Sequence, residues 1–123
     1  MILADTSAWL RALAGREPYA TGMDRLADAE ELLRHDLVFG ELLIGDRGGR
    51  ELLLARYARL SPAPSVPHEL VVALVRARRL HGRGIGWVDA HLLASVLEAR
   101  AQLYTADAAL AAVAREFGVA HAA

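Results

Sequence analysis

Four carboxylates stand where a carboxylate is awkward unless it has a role: Asp5, Glu41, Asp89 and Asp107. Asp5 closes an apolar run, Met1-Ile2-Leu3-Ala4. Asp107 follows a second short run, Leu103-Tyr104-Thr105-Ala106. Glu41 and Asp89 fall on the apolar faces of expected helices. Acids that converge inside a fold must be protonated, paired or neutralised by a cation. A hard divalent ion such as Mg²⁺ or Mn²⁺ takes oxygen ligands of this kind. That combination points to metal-assisted phosphodiester chemistry, in which an ion activates water and clamps phosphate oxygens.

The elements that would carry these acids alternate between strand and helix. Residues 2–5 read as a buried parallel-type strand. Thr6 or Ser7 caps a short helix to about Leu13, and the stretch 15–18 breaks it. Helices are expected over 22–35, 37–45 and 50–59, the second of them with a possible extended start at 37–39. A proline-rich loop, 61–64, follows, with room for a short strand beside it. Pro67 opens a helix ending near Leu80, a glycine-rich loop covers 81–86, and 87–99 is helical. A strand at 102–105, a helix at 107–117 and a last short strand at 118–120 complete the chain. This order implies an α/β sandwich, a small central parallel sheet flanked by helices, in a single domain spanning 1–123. Asp5 and Asp107 then share the carboxyl edge of that sheet, where open α/β sheets bind ligands.

Composition narrows the chemistry. With 123 residues, 54% of them apolar, the chain can bury a core and is not a disordered segment. No apolar run reaches the ~20 residues of a membrane span. The first strand carries Asp5 and no basic flank, so it does not read as a signal peptide, and a cytoplasmic protein is expected. Cysteine is absent, which excludes disulfides, thiolate metal sites and cysteine nucleophiles. All 14 basic residues are arginine. Without lysine there is no P-loop mechanism, no Schiff base and no lysine-dependent phosphoaspartate fold. Setting the four acids aside turns the formal net charge of −1 into +3.

Each acid also has an ordinary structural reading. Asp5 is either an N-cap or, if Thr6 or Ser7 caps instead, a free site acid. Glu41 has Leu37, Val38, Ile44 and Gly45 as helical neighbours, which would place it on a buried edge. Asp89 lies on the stripe of Leu92, Leu93 and Val96; a favourable charge at a helix N-terminus explains its turn but not its face. Asp107 by itself reads as an N-cap. Arg76, Arg78, Arg79, His81 and Arg83 form either a solvated face or a phosphate-tracking patch, with Arg79 and Arg83 the candidate RNA contacts. Trp9 and Trp87 read as packing residues, Trp9 facing a partner or dimer surface. The five histidines lack metal-ligand spacing.

Four segments taken together resemble a known family: Asp5-Thr6-Ser7-Ala8-Trp9, Gly40-Glu41-Leu42, the run from Trp87 to Ala94, and Leu103 to Asp107. In order and spacing they are similar to PIN domains, and more narrowly to VapC-type toxin ribonucleases of bacterial toxin–antitoxin pairs. The resemblance implies a metal-dependent endoribonuclease using Mg²⁺ or Mn²⁺. Asp5, Glu41, Asp89 and Asp107 match the family's acidic quartet, and Thr6 or Ser7, with Thr105, match hydroxyls that orient it. It further implies a VapB-type antitoxin that inserts an arginine among the acids, an RNA substrate and a homodimer. Two rivals remain. An aspartyl-phosphate phosphatase would want a second aspartate at position 7, which is Ser7, and a lysine. A non-catalytic scaffold binding RNA or protein would bind metal without turnover.

Overall fold

The computed structural model describes residues 1–122. Its centre is a parallel four-stranded sheet: β1 (Ile2–Ala4), β2 (Leu32–Arg34), β3 (Ser61–Pro62) and β4 (Gln102–Tyr104). The strand order is β3-β2-β1-β4. β1 is buried throughout, as an Ile-Leu-Ala strand covered on both faces must be. Its Leu3 aligns with Leu33 on one side and Leu103 on the other. From β1 the chain moves outward through β2 and β3, then returns to pair β4 on β1's other side. The order therefore reverses between β1 and β4, and a crevice opens at such a switch point. The strand expected at 118–120 reduces to a bridge between Leu103 and Ala120.

Among the described residues seven helices connect and cover the sheet: α1 (Thr6–Leu13), α2 (Tyr19–Asp28), α3 (Asp36–Ile44), α4 (Glu51–Tyr57), α5 (His68–Arg78), α6 (Trp87–Ala99) and α7 (Ala108–Glu116). The helix expected over 22–35 is wrong in its second half, because β2 occupies Leu32–Arg34. The extended start considered for the next segment is absent too: α3 is helical from Asp36.

The break between α2 and β2 is a backbone device without a glycine. Glu30 adopts φ +55°, its N–H bonds the Ala27 carbonyl, and the Glu31 N–H reaches back to Leu26. This is a Schellman ending, normally built on glycine. Arg79 (φ +52°) after α5 and Arg100 (φ +53°) after α6 repeat it. In each case a buried apolar residue follows within two positions: Leu32, Leu80 and Ala101. Apolar burial offsets the left-handed strain of a side chain, about 1–2 kcal/mol per residue.

Trp9 does not face a partner. It is buried in the same core cluster as Leu3, Met23, Leu26 and Leu42, and meets Tyr57 edge to face at 5.4 Å between ring centroids. Truncating an aromatic of this size removes both transfer energy and packing. Trp9→Ala is expected to cost about 3–5 kcal/mol in urea unfolding. A cost below about 1 kcal/mol would mean that Trp9 is not a core residue.

Candidate active site

Asp5 emerges from β1 at the switch point. Its backbone N–H bonds the Tyr104 carbonyl, so the first residue past β1 is tied to the last residue of β4. The residue is 4% exposed. It caps α1, since Oδ1 accepts the Ala8 N–H at 2.9 Å. The expectation that Thr6 or Ser7 would cap is therefore corrected. Those hydroxyls serve acids instead: Ser7 Oγ donates to Asp5 Oδ1 at 2.7 Å, and Thr6 Oγ1 donates to Glu41 Oε1 at 2.6 Å. Thr105, from the far side of the sheet edge, donates to Asp5 Oδ2. Asp5 thus caps α1 with one oxygen while the other is held by Thr105, just past β4.

Asp107 caps α7, accepting the Leu110 N–H at 2.9 Å, and its own N–H bonds Thr105 Oγ1 at 3.0 Å. Its carboxylate is exposed. Asp89 sits in the first turn of α6 and accepts the Gly86 N–H at 3.0 Å. Leu92, Leu93 and Val96 of its stripe are fully buried, so the face assigned from sequence holds. Glu41 does not lie on a buried face. It is exposed, as is Ile44 three positions on, at 88%. α3 is apolar on nearly every side, so its pattern could not say which side turns inward; Val38 and Leu42 do.

The four acids share one electrostatic neighbourhood. Burial holds the Asp89 carboxyl above the ordinary carboxylate range; the Gly86 N–H opposes this, and the charges of Asp5, Asp107 and Glu41 push it further up. Among the described residues no cation pairs with them. Among the described residues the ion pairs are Arg34–Asp36 and Arg83–Glu116, and neither involves an acid of the quartet. Nor do any three His, Asp or Glu side chains form a ready metal cage in their present rotamers, among the described residues. Each carboxylate instead holds a hydroxyl or backbone N–H, and each keeps lone pairs for another partner. An all-oxygen, uncompensated acidic cluster fits a hard divalent cation and suits no soft metal.

The basic candidates separate. Arg83 is held by Glu116 of α7 in a two-pronged pair, one contact at 3.2 Å, so its charge is already answered. Arg78 lies over the Phe117 ring at 4.0 Å. Arg79 is exposed and makes no ion pair among the described residues. The loop between α5 and α6 is set against α7, since a Cβ at Gly84 (φ +84°) would stand 3.5 Å from Ala109 Cβ. Trp87 is 44% exposed, between His68 and His91.

Sequence reasoning missed two buried polar residues, His35 and Ser95. His35 lay inside the misread helix. Ser95 lay unremarked within the buried stripe of α6.

The family model of the PIN domain matches residues 2–116. The chain belongs to the PIN domain family. The PIN domain here is similar, at 44% identity over 121 residues, to the protein named Ribonuclease VapC32 from Mycobacterium tuberculosis strain CDC 1551 / Oshkosh. The match covers 98% of this chain and 95% of that relative. The same figures hold for the protein of that name from strain ATCC 25618 / H37Rv.

Proposed function

We propose that this PIN domain is a metal-dependent endoribonuclease of the VapC type, a single-domain toxin held inactive by a VapB-type antitoxin. The observation that carries the reading is the meeting of four uncompensated carboxylates at the β1–β4 switch point. The relatives' name, ribonuclease, supplies the substrate class.

Asp5, Asp89 and Glu41 would hold Mg²⁺ or Mn²⁺, with Asp107 completing the set. When bound, the ion supplies Lewis acidity to the scissile phosphate and activates water at neutral pH. The residues of the chain do the positioning. Ser7 and Thr105 fix both oxygens of Asp5, and Thr6 draws Glu41 towards α1. Gly86 orients Asp89 through its N–H. The antitoxin would enter the same cluster with a guanidinium, which pairs bidentately with carboxylates. Exposed Leu43, Ile44 and Leu52 on α3 and α4 offer an apolar surface for the homodimer. No helix among the described residues is long and apolar enough to cross a membrane. As a toxin acting on cellular RNA, it would work in the cytoplasm.

The test is cleavage of total cellular RNA by purified, antitoxin-free protein, with Mg²⁺, with Mn²⁺ and with chelator. Discrete metal-dependent products support the reading. Metal binding without cleavage of any RNA, ribosomes included, favours a binding scaffold instead.

Arg79 is the better RNA contact of the two named from sequence, because Arg83 is engaged by Glu116. Arg79→Gln is expected to weaken RNA binding and to lower the slope of log K against log salt by about 0.7, one phosphate contact on a single strand. An unchanged salt slope would exclude Arg79 from the phosphate path.

A further inference from the structure

The four acids repel one another, yet two of them are carried by α3 and α6, which must keep a fixed separation before any cation arrives. Glu41 is on α3 and Asp89 on α6. A neutral, buried joint ties these helices together. His35 caps α3, its Nδ1 accepting the Leu37 N–H at 3.1 Å. An accepting Nδ1 leaves the proton on Nε2, which faces Ser95 Oγ of α6 at 3.0 Å. The Ser95 hydroxyl then donates to the Pro64 carbonyl at 2.7 Å. The His35 N–H is taken by the Tyr57 hydroxyl of α4 at 2.9 Å. His35 is 5% exposed and Ser95 fully buried, and both ring nitrogens and the Ser95 hydroxyl have partners. Burial keeps the imidazole neutral by lowering its pKa, and the His91 charge acts the same way against Asp36. The cap needs that neutral form, because a protonated Nδ1 could not accept the Leu37 N–H.

We infer that His35 and Ser95 are positioning residues for the metal site, a neutral joint that ties the start of the helix of Glu41 to the helix of Asp89 despite the repulsion among the acids. The inference rests on the proposed role of those acids. It assigns the pair no contact with substrate or metal. Partners of this indirect kind typically alter metal affinity by about 10–100-fold.

The experiment is Mn²⁺ titration by calorimetry on antitoxin-free protein, with thermal unfolding of each metal-free variant beside it. His35→Asn can keep the α3 cap through its amide oxygen but is too short to reach Ser95. Ser95→Ala removes the link from the other side. Leu26→Ala, in the core of α2, is the control for lost stability alone. Mn²⁺ affinity is expected to fall about tenfold in His35→Asn and in Ser95→Ala, and to stay within about twofold of the parent in Leu26→Ala. Parent affinity in Ser95→Ala, or an equal loss in Leu26→Ala, overturns the inference. Asp5→Asn separates the two levels. If the parent takes up no Mn²⁺, or Asp5→Asn binds it equally well, the reading of the acids falls and the joint's role with it.

Discussion

Asp5→Asn should lower metal-dependent RNA cleavage by at least about a hundredfold, beyond the range typical of residues that only support a ligand. The variant is informative because asparagine preserves nearly everything else Asp5 does. Asparagine caps helices as well as aspartate, so Oδ1 can still take the Ala8 N–H and the Ser7 hydroxyl. The altered contact is with Thr105, which donates to Oδ2 and would have to turn to accept from an amide nitrogen. Thr105 already accepts the Asp107 N–H, so the rearrangement stays local and costs about 1 kcal/mol. Asp5→Ala would confuse the result by removing the cap, worth about 0.5–2 kcal/mol. The measurement is single-turnover cleavage of the RNA identified with the parent, alongside circular dichroism and the unfolding midpoint. Cleavage near the parent rate in a folded Asp5→Asn protein would exclude Asp5 as a metal ligand.

The fold was most legible where local signals and tertiary burden agreed. α6 begins and ends where its pattern says, because a long apolar stripe and a glycine-rich entry leave no rival. The same agreement put Asp5 and Asp107 at neighbouring strand ends, since short apolar runs followed by capping residues are unambiguous βα junctions. The sequence misled where a usual punctuation mark was missing. β2 was hidden because α2 stops on Glu30 in a left-handed conformation, and nothing in the one-letter string distinguishes that glutamate from a helical one. The cost was more than a strand. It also concealed His35, which follows β2, and with it the joint to α6. Glu41 was assigned from a helical face that α3 does not have, because its neighbours are apolar whether they are buried, as Val38 is, or open to solvent, as Ile44 is. Its tie to Thr6 spans 35 residues, and no local pattern announces it. Ion pairing was equally unreadable: Arg83 seemed free until α7 brought Glu116 to it.

Asp89→Asn should do two opposite things: abolish cleavage and stabilise the metal-free fold. The folded state holds the Asp89 carboxyl above its ordinary range, through burial first and the three neighbouring acids after. A carboxylate with a raised folded-state pKa binds more protons folded than unfolded. Its ionisation therefore costs stability, and that cost accumulates as pH rises from the ordinary carboxylate value through the raised one. Below the ordinary value both states are protonated and the cost vanishes. Asparagine removes the charge but keeps an oxygen for the Gly86 N–H. The opposing loss is a favourable charge at the start of α6, about 0.3–1 kcal/mol at an exposed terminus. Because the group is half solvated, the net gain is small, roughly 2–3 °C in the unfolding midpoint at neutral pH. The gap between variant and parent should close as pH falls through that window. Metal reverses the order. At an ion concentration a hundred times its dissociation constant the parent gains about 2.7 kcal/mol. The variant, having lost a ligand, gains far less. Thermal unfolding across pH, with chelator and with Mn²⁺, checks each sign. A metal-free variant less stable than the parent at neutral pH, or one stabilised equally by Mn²⁺, would show that Asp89 serves α6 rather than a cation. The expected pattern would mean that the strain among the acids is released only by the ion that makes them useful.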